Sequence, residues 1–107
     1  MANNTQINAT TYYRLPCGKF LEDFIYHRGL NFNMGSALKY VWRAGYKDGE
    51  SEDKDLKKAN HYIEFEAKCR SESNDFNLEK MIEAVRGQIY CLREEAYNWN
   101  LHDEEDE

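Results

Sequence analysis

The sequence is poor in residues that interrupt regular structure, with one proline and six glycines in 107 residues. That scarcity argues against a turn-dense all-β fold, which needs such residues at short intervals. Long hydrophobic runs are also missing, and the stretch Ile89 to Leu92 is typical of the apolar segments. A transmembrane helix needs about 20 apolar residues and a signal-peptide core needs at least about 7. We therefore expect a cytoplasmic protein without a membrane partner.

Cysteine is scarce as well, with only Cys17, Cys69 and Cys91, and no two of them form a CxxC pair. An odd, widely spaced set of this kind excludes a disulfide framework and a zinc knuckle. The sequence also lacks the GxxxxGK[ST] pattern of a P-loop and the GxSxG pattern of a serine nucleophile elbow. We therefore expect no resident metal and no cofactor.

The residues that are present suit one small globular domain spanning 1–107. Hydrophobic residues make up 41 % of the chain and aromatic residues 14 %, which is too many for global disorder. The polar residues 1–11, rich in Asn and Thr, are predicted to form an N-terminal arm. The acidic residues 103–107 are predicted to form a disordered, solvated tail.

Four stretches with helical spacing of apolar residues predict four helices. The first runs from about Pro16 to Arg28, because proline is favoured in a first turn and Gly29 suits the left-handed residue that ends a helix. The second runs from about Asn33 to Ala44, with Asn33 as the predicted N-cap and Gly45 at the C-terminal end.

The third helix is predicted from about Ser51 to Arg70, followed by a polar break at residues 71–74. The fourth is predicted from about Asn77 to Trp99, with Gly87 inside it as a point of close helix contact. Two long helices joined by a short break form an antiparallel hairpin. The predicted fold class is therefore all-α, a small bundle of about four helices with a long C-terminal antiparallel helical hairpin.

Acidic residues outnumber basic residues, and the resulting net charge of −6 argues against duplex nucleic acid as a partner. The charge is nevertheless unevenly distributed. Residues 1–47 hold six cations and two anions, a balance of +4, whereas residues 48–107 hold eight cations and eighteen anions, a balance of −10. A small anionic ligand at a local basic site therefore remains compatible with the composition.

The second predicted helix carries cations on a face separate from its apolar stripe. Lys39 and Arg43 are four residues apart and project the same way, and Lys47 follows shortly after. Lys57 and Lys58 on the third helix converge with them if the two helices pack side by side. Such a cluster suits a compact phosphate-bearing ligand, because arginine offers a bidentate fork and lysine a point charge.

Other groups complete the predicted site. Tyr12, Tyr40 and Tyr46 offer rings that stack on a base, or hydroxyls that form hydrogen bonds. Gly35 and Ser36 are placed in the first turn of the second helix, where free N–H groups and the positive end of the helix dipole attract anions.

A solvated surface is the competing interpretation of the same cations. In that case Lys57 and Lys58 pair with acidic residues such as Asp53 and Glu64 across helical turns. Periodicity alone favours this second interpretation over a ligand site.

Two longer motifs shift the balance. The chain reads GSALKYVWRAGYK from Gly35 to Lys47 and DLKKANHYI from Asp55 to Ile63. These motifs resemble the G-N-A-x-K-Y-x-x-R-x-G-x-K and D-L-x-K-A-x-x-Y blocks of a family of small bacteriophage proteins, the SaV-like domain of unknown function. The resemblance extends from about Tyr12 to Ile63. Ser36 stands where that family usually has Asn.

The resemblance implies a phage origin and a nucleotide-related role, since a related domain occurs in a phage-T7-type nucleotide kinase that lacks a P-loop. It also favours a ligand site over a solvated surface. The positions that match the family's motifs and so carry the implied role are Lys39, Tyr40, Arg43, Lys47, Asp55, Lys57 and Lys58.

Two functions stay open. The first is a non-catalytic binder of a small nucleotide, such as a cyclic one, which sequesters nucleotide signals of host defence in the cytoplasm of an infected bacterium. We expect such a binder to be a homo-oligomer with sites between subunits. The second is a nucleoside-monophosphate kinase-like enzyme acting on the phage deoxynucleotide supply. That enzyme requires ATP and Mg²⁺, with Asp55 as its candidate catalytic carboxylate.

Overall fold

The computed structural model describes residues 12–44, 52–74 and 77–99, which form four helices. They are α1 (Leu21–Arg28), α2 (Phe32–Arg43), α3 (Glu52–Asn74) and α4 (Leu78–Tyr97). The long helices α3 and α4 pair as the C-terminal hairpin, and α2 packs against both, most extensively against α3. The predicted all-α bundle of about four helices is confirmed. The predicted arm at 1–11 and acidic tail at 103–107 lie outside the described residues.

The core joins one face of each helix. Its most deeply buried side chains are aliphatic and aromatic, and they include Leu21, Phe24, Leu38, Ile63, Val85 and Ile89. Full burial of such a side chain contributes about 1.5–3 kcal/mol to the stability of the fold. α1 lies across the C-terminal end of the hairpin, where the Phe24 ring packs edge-on against Trp99 with centroids 5.6 Å apart. None of the helices in the described ranges is long and apolar enough to span a membrane.

The start of α1 differs from the prediction. The helix begins at Leu21 rather than near Pro16, because Gly18 adopts a left-handed φ of 99° that a right-handed helix cannot contain. The preceding residues instead form a tight loop, in which Arg14 and Phe20 make an isolated antiparallel bridge. The carboxylate of Asp23 accepts a 2.9 Å hydrogen bond from the Phe20 N–H and so satisfies one free donor at the helix start.

The cap of α2 also differs from the prediction. Asn31, not Asn33, is the N-cap, and its side-chain oxygen accepts a 2.8 Å hydrogen bond from the Met34 N–H. Asn33 lies inside the helix, and its amide donates to Glu66 on α3 at 3.2 Å. The two asparagines are close enough in sequence for either to satisfy the capping pattern. Both also donate to Glu66, so only the start of the helix at Phe32 distinguishes them.

The predicted polar break at residues 71–74 is wrong, because α3 continues to Asn74. The break was expected because these four residues are polar, but local sequence preference is only a weak guide to where a helix ends. The start of α4 agrees with the prediction. Asn77 caps this helix by accepting a 3.1 Å hydrogen bond from the Lys80 N–H.

The close helix approach predicted at Gly87 occurs instead at Gly35. A Cβ added to Gly87 meets no atom within 4 Å, whereas one added to Gly35 lies 3.2 Å from Cγ2 of Ile25 on α1. A contact of 3.2 Å is tighter than ordinary packing allows without displacement. Gly35 therefore serves the packing of α1 on α2.

Candidate functional site

α2 and α3 lie side by side, which is the condition under which the predicted cations converge. Each of three cations carried by these two helices stands over a tyrosine ring. We refer to these cations and rings together as the basic aromatic face; its members are Lys39, Arg43 and Lys58 with Tyr12, Tyr13, Tyr40 and Tyr62.

The two N-terminal tyrosines are fixed to the bundle through their backbone. The indole N–H of Trp42 donates a 2.7 Å hydrogen bond to the carbonyl of Tyr12. The N–H of Leu21 donates a 2.7 Å hydrogen bond to the carbonyl of Tyr13. Because Trp42 and Leu21 are themselves buried, this anchoring holds both tyrosine rings beside the outer face of α2.

Successive turns of α2 present their cations to these two rings. The Nζ of Lys39 lies 5.5 Å from the centre of the Tyr13 ring, and Cζ of Arg43 lies 5.9 Å from the centre of the Tyr12 ring. Cation–π contacts of this length contribute about 0.5–1 kcal/mol at exposed sites. They orient the cations without neutralising them, so the positive charge remains available to an anion.

The other half of the face joins α2 to α3. The Nζ of Lys58 lies 5.4 Å from the centre of the Tyr40 ring. That ring lies parallel to Tyr62, with centroids 6.1 Å apart and an interplanar angle of 7°. Phe32 meets Tyr62 edge-on at 5.7 Å and is 75 % exposed. The result is an aromatic surface next to a cation, a combination that suits a planar base carrying a phosphate.

Within the described residues, most cations on this side of α2 and α3 have no acidic partner. Lys39, Lys57 and Lys58 form no ion pair with a carboxylate of the described residues, whereas Arg43 has one with Asp55. The pairing of Lys57 and Lys58 with acidic neighbours, on which the solvated-surface interpretation rests, is not seen in this part of the chain.

Arg43 and Asp55 form an incomplete pair. The distance from Arg43 Nε to Asp55 Oδ2 is 3.9 Å, too long for a hydrogen bond. Asp55 is 1 % exposed, and in the described part of the chain neither of its oxygens has a hydrogen-bond partner. Nη1 of Arg43 donates to the Tyr13 hydroxyl at 3.4 Å. The Asp55 carboxylate therefore accepts no hydrogen bond from the described residues, and the Arg43 guanidinium donates only a long one to Tyr13.

The guanidinium of Arg43 nevertheless stays charged. Burial by itself lowers its pKa, but the hydrogen bond to the Tyr13 hydroxyl and the nearby charge of Asp55 outweigh burial, and the net pKa is raised. A raised pKa means that Arg43 is a permanent cation across the physiological range.

The remaining predicted residues lie elsewhere. Lys57 is exposed on α3 and contacts none of the rings. The N–H of Gly35 donates to the Asn31 carbonyl at 2.8 Å, so the prediction of a free donor there is corrected, because α2 starts at Phe32. Ser36 follows it, half-buried and further into the helix. Tyr46 and Lys47 lie outside the described residues.

Sequence reasoning missed Tyr13 and Phe32 as members or neighbours of the site. Tyr13 belongs to a short loop rather than a helix, so helical spacing gives no signal for it. Phe32 was missed because α2 was predicted to begin at about Asn33, which left Phe32 outside the helix. The buried state of Asp55 was also missed, because an Asp in a first helical turn is ordinarily a solvated dipole partner.

A second polar cluster lies away from this face, around Glu66 on α3. Its carboxylate accepts hydrogen bonds from Nε of Arg70 at 2.9 Å, from Asn33 at 3.2 Å and from Asn31 at 3.2 Å. Burial by itself raises the pKa of Glu66, but these donors outweigh burial, and the net pKa is lowered. The cluster ties the start of α2 to the middle of α3.

Next to that cluster is a groove of about 730 Å³ between the α1–α2 connection and α4. Its lining includes Leu30, Met34, Arg70, Gly87 and Cys91. No predicted site residue lies in it. Across the described ranges, no three His, Cys, Asp or Glu side chains lie close enough together to hold a metal ion.

Comparison with protein families gives a match over part of the chain. A model described as a protein of unknown function (DUF3310) covers residues 17–64. Residues 17–64 thus form a DUF3310 domain. The domain contains α1, α2 and the first half of α3, with every cation of the basic aromatic face. Its extent is close to that of the resemblance drawn from the sequence, and the phage origin and the kinase relationship stay predictions. Neither curated proteins nor solved structures give a match.

Proposed function

We propose that this protein binds a small nucleotide through the basic aromatic face and does not transform it. The observation that carries the proposal is the arrangement of three cations over tyrosine rings, of which only Arg43 has an ion pair with a carboxylate of the described residues. A cation over a ring has no carboxylate beside it when an anion arrives, whereas a cation in an ion pair already has a counter-charge.

Each half of the face has its own role in the proposal. Lys39 and Arg43 hold the phosphate, with arginine as the bidentate donor. Tyr40 and Tyr62 supply the surface against which the base stacks, and Lys58 holds a second anionic group beside it. Base–aromatic stacking of this kind contributes about 1–3 kcal/mol per base.

The biological role that we propose is sequestration. A phage protein of this size that binds a nucleotide signal of the host's defence lowers its free concentration without needing chemistry. We expect a homo-oligomer with sites between subunits, because the hydrophobic helices of so short a chain often need a partner. Sedimentation velocity checks this part, and a monomer at micromolar concentration contradicts it.

Isothermal titration calorimetry with mono-, di-, tri- and cyclic nucleotides tests the proposal, with chromatography of each ligand afterwards. We expect submicromolar binding of at least one nucleotide, recovered intact, and a large loss of affinity in Lys39→Ala combined with Arg43→Ala. No binding of any nucleotide contradicts the proposal, as does binding that is unchanged in the double variant.

The kinase alternative is tested in the same series. The wild-type protein is incubated with ATP, Mg²⁺ and each nucleoside monophosphate, and the products are separated. Sequestration predicts no diphosphate above the background of a heat-inactivated sample. ATP-dependent conversion of a monophosphate, lost in Asp55→Asn, supports the kinase and overturns the binder.

A further inference from the structure

Asp55 is the most unusual polar side chain in the described part of the chain. It is 1 % exposed, and neither carboxylate oxygen has a hydrogen-bond partner among the described residues. Burying an unpaired carboxylate is costly, so folded proteins ordinarily pair such groups or use them. Its surroundings therefore indicate what it is used for.

The cation that Asp55 faces is Arg43. Nε of Arg43, 3.9 Å from Asp55 Oδ2, is itself buried and has no acceptor in the described residues. The guanidinium therefore turns its Nε side towards the interior. Nη1 reaches only the Tyr13 hydroxyl, at 3.4 Å. A quarter of the Arg43 side chain remains exposed.

We infer that Asp55 is a positioning residue, which holds Arg43 by its Nε side so that the two terminal nitrogens face a phosphate of the ligand. The inference rests on the proposed function. Two parallel N–H donors match two oxygens of one phosphorus, the geometry in which arginine recognises phosphate. On this inference, phosphate binding shortens the 3.9 Å separation, because hydrogen bonds in a chain polarise one another.

The positioning role and simple electrostatics predict opposite changes in binding affinity for Asp55→Asn. Replacing a carboxylate near an anion site by a neutral amide removes a repulsion, so charge alone predicts tighter binding in Asp55→Asn. Positioning predicts weaker binding, because Arg43 loses the group that orients it. The direction of the change therefore distinguishes the two explanations.

The experiment uses inorganic pyrophosphate as the probe and measures its dissociation constant by calorimetry. We expect Asp55→Asn to weaken binding about tenfold, a difference of about 1.4 kcal/mol. Glu52→Gln is the matched control, because it removes the same charge from an exposed position in the same helical turn; we expect a change of less than about twofold. In an Arg43→Ala background, Asp55→Asn should have no further effect. Circular dichroism confirms that each variant is folded.

A direct readout does not depend on the stability of the variant. In wild-type protein labelled with ¹⁵N and ¹³C, pyrophosphate should shift the Arg43 Nε–H resonance and the Asp55 carboxyl carbon together. If Asp55→Asn does not fold, this titration of the wild-type protein is the test of the inference. The absence of a shift at either resonance overturns the inference.

The outcomes separate the two proposals. If the wild-type protein binds neither pyrophosphate nor any nucleotide, the proposed function fails, and the inference fails with it. If the wild-type protein binds pyrophosphate and Asp55→Asn binds equally well or more tightly, only the positioning role is overturned. A tenfold loss that persists in the Arg43→Ala background also overturns it, because Asp55 then acts through something other than Arg43.

Discussion

Lys58 on α3 holds its ammonium group 5.4 Å from the centre of the Tyr40 ring on α2. Its neighbour in sequence, Lys57, is exposed and contacts none of the rings at the junction. Two adjacent lysines of one helix therefore differ in a single respect, their position relative to the basic aromatic face. This pair offers a controlled comparison that does not alter the helix.

Lys58→Ala should weaken nucleotide binding about tenfold, because a charged hydrogen bond to a phosphate contributes about 1.5–3 kcal/mol. Lys57→Ala should change the dissociation constant by less than about twofold, since a solvent-exposed charge at a distance is screened by salt. Calorimetry at 0.15 M salt checks both. Equal losses in the two variants would show that only the overall charge matters.

Gly35 and Gly87, both within helices, should respond unequally to alanine. Gly87→Ala should raise the free energy of unfolding by about 0.5–1 kcal/mol, because the added methyl meets open space and alanine favours the helix. Gly35→Ala should gain less or lose stability by about 1 kcal/mol, because its Cβ crowds Ile25. Urea unfolding measures both, and an equal gain in the two variants contradicts the packing role of Gly35.

Glu66 should make the free energy of unfolding depend on pH in the acidic range. Its folded-state pKa is lowered, so its contribution is fully present above the unfolded pKa of about 4.5 and is lost as pH falls through the folded value. Glu66→Gln should reduce the free energy of unfolding at pH 7 by about 1–3 kcal/mol, because charged hydrogen bonds from Arg70 and the two asparagines are weakened. Chemical unfolding between pH 3 and pH 7 should show a shallower slope in the variant; an unchanged slope counts against this assignment.

The fold was predictable to the level of four helices and a hairpin because each helix carries an apolar stripe of the right period. The ends were less predictable, for reasons visible at particular residues. The left-handed φ of Gly18 blocks the extension of α1 towards Pro16, and α3 continues through the polar residues 71–74. Residue type alone fixes neither a glycine's φ nor the end of a helix within a polar run.

The candidate site was predictable where it depends on helical spacing. Lys39 and Arg43, one turn apart on α2, stand over tyrosine rings beside that helix, and Lys58 on α3 stands over the Tyr40 ring of α2. Spacing gave no information on Tyr13, which reaches the face from a loop, or on the burial of Asp55. Both depend on how separate elements meet, which a single helix's periodicity does not encode.

The central claim is that the nucleotide binds at the basic aromatic face rather than in the groove beside α4. Chemical-shift mapping of the isotope-labelled wild-type protein, titrated with the tightest-binding nucleotide of the panel, tests this claim most directly. The account predicts the largest shifts at the side chains of Lys39, Arg43 and Lys58 and in the Tyr40 ring. Shifts confined to groove residues such as Leu30, Gln88 and Cys91 would contradict it.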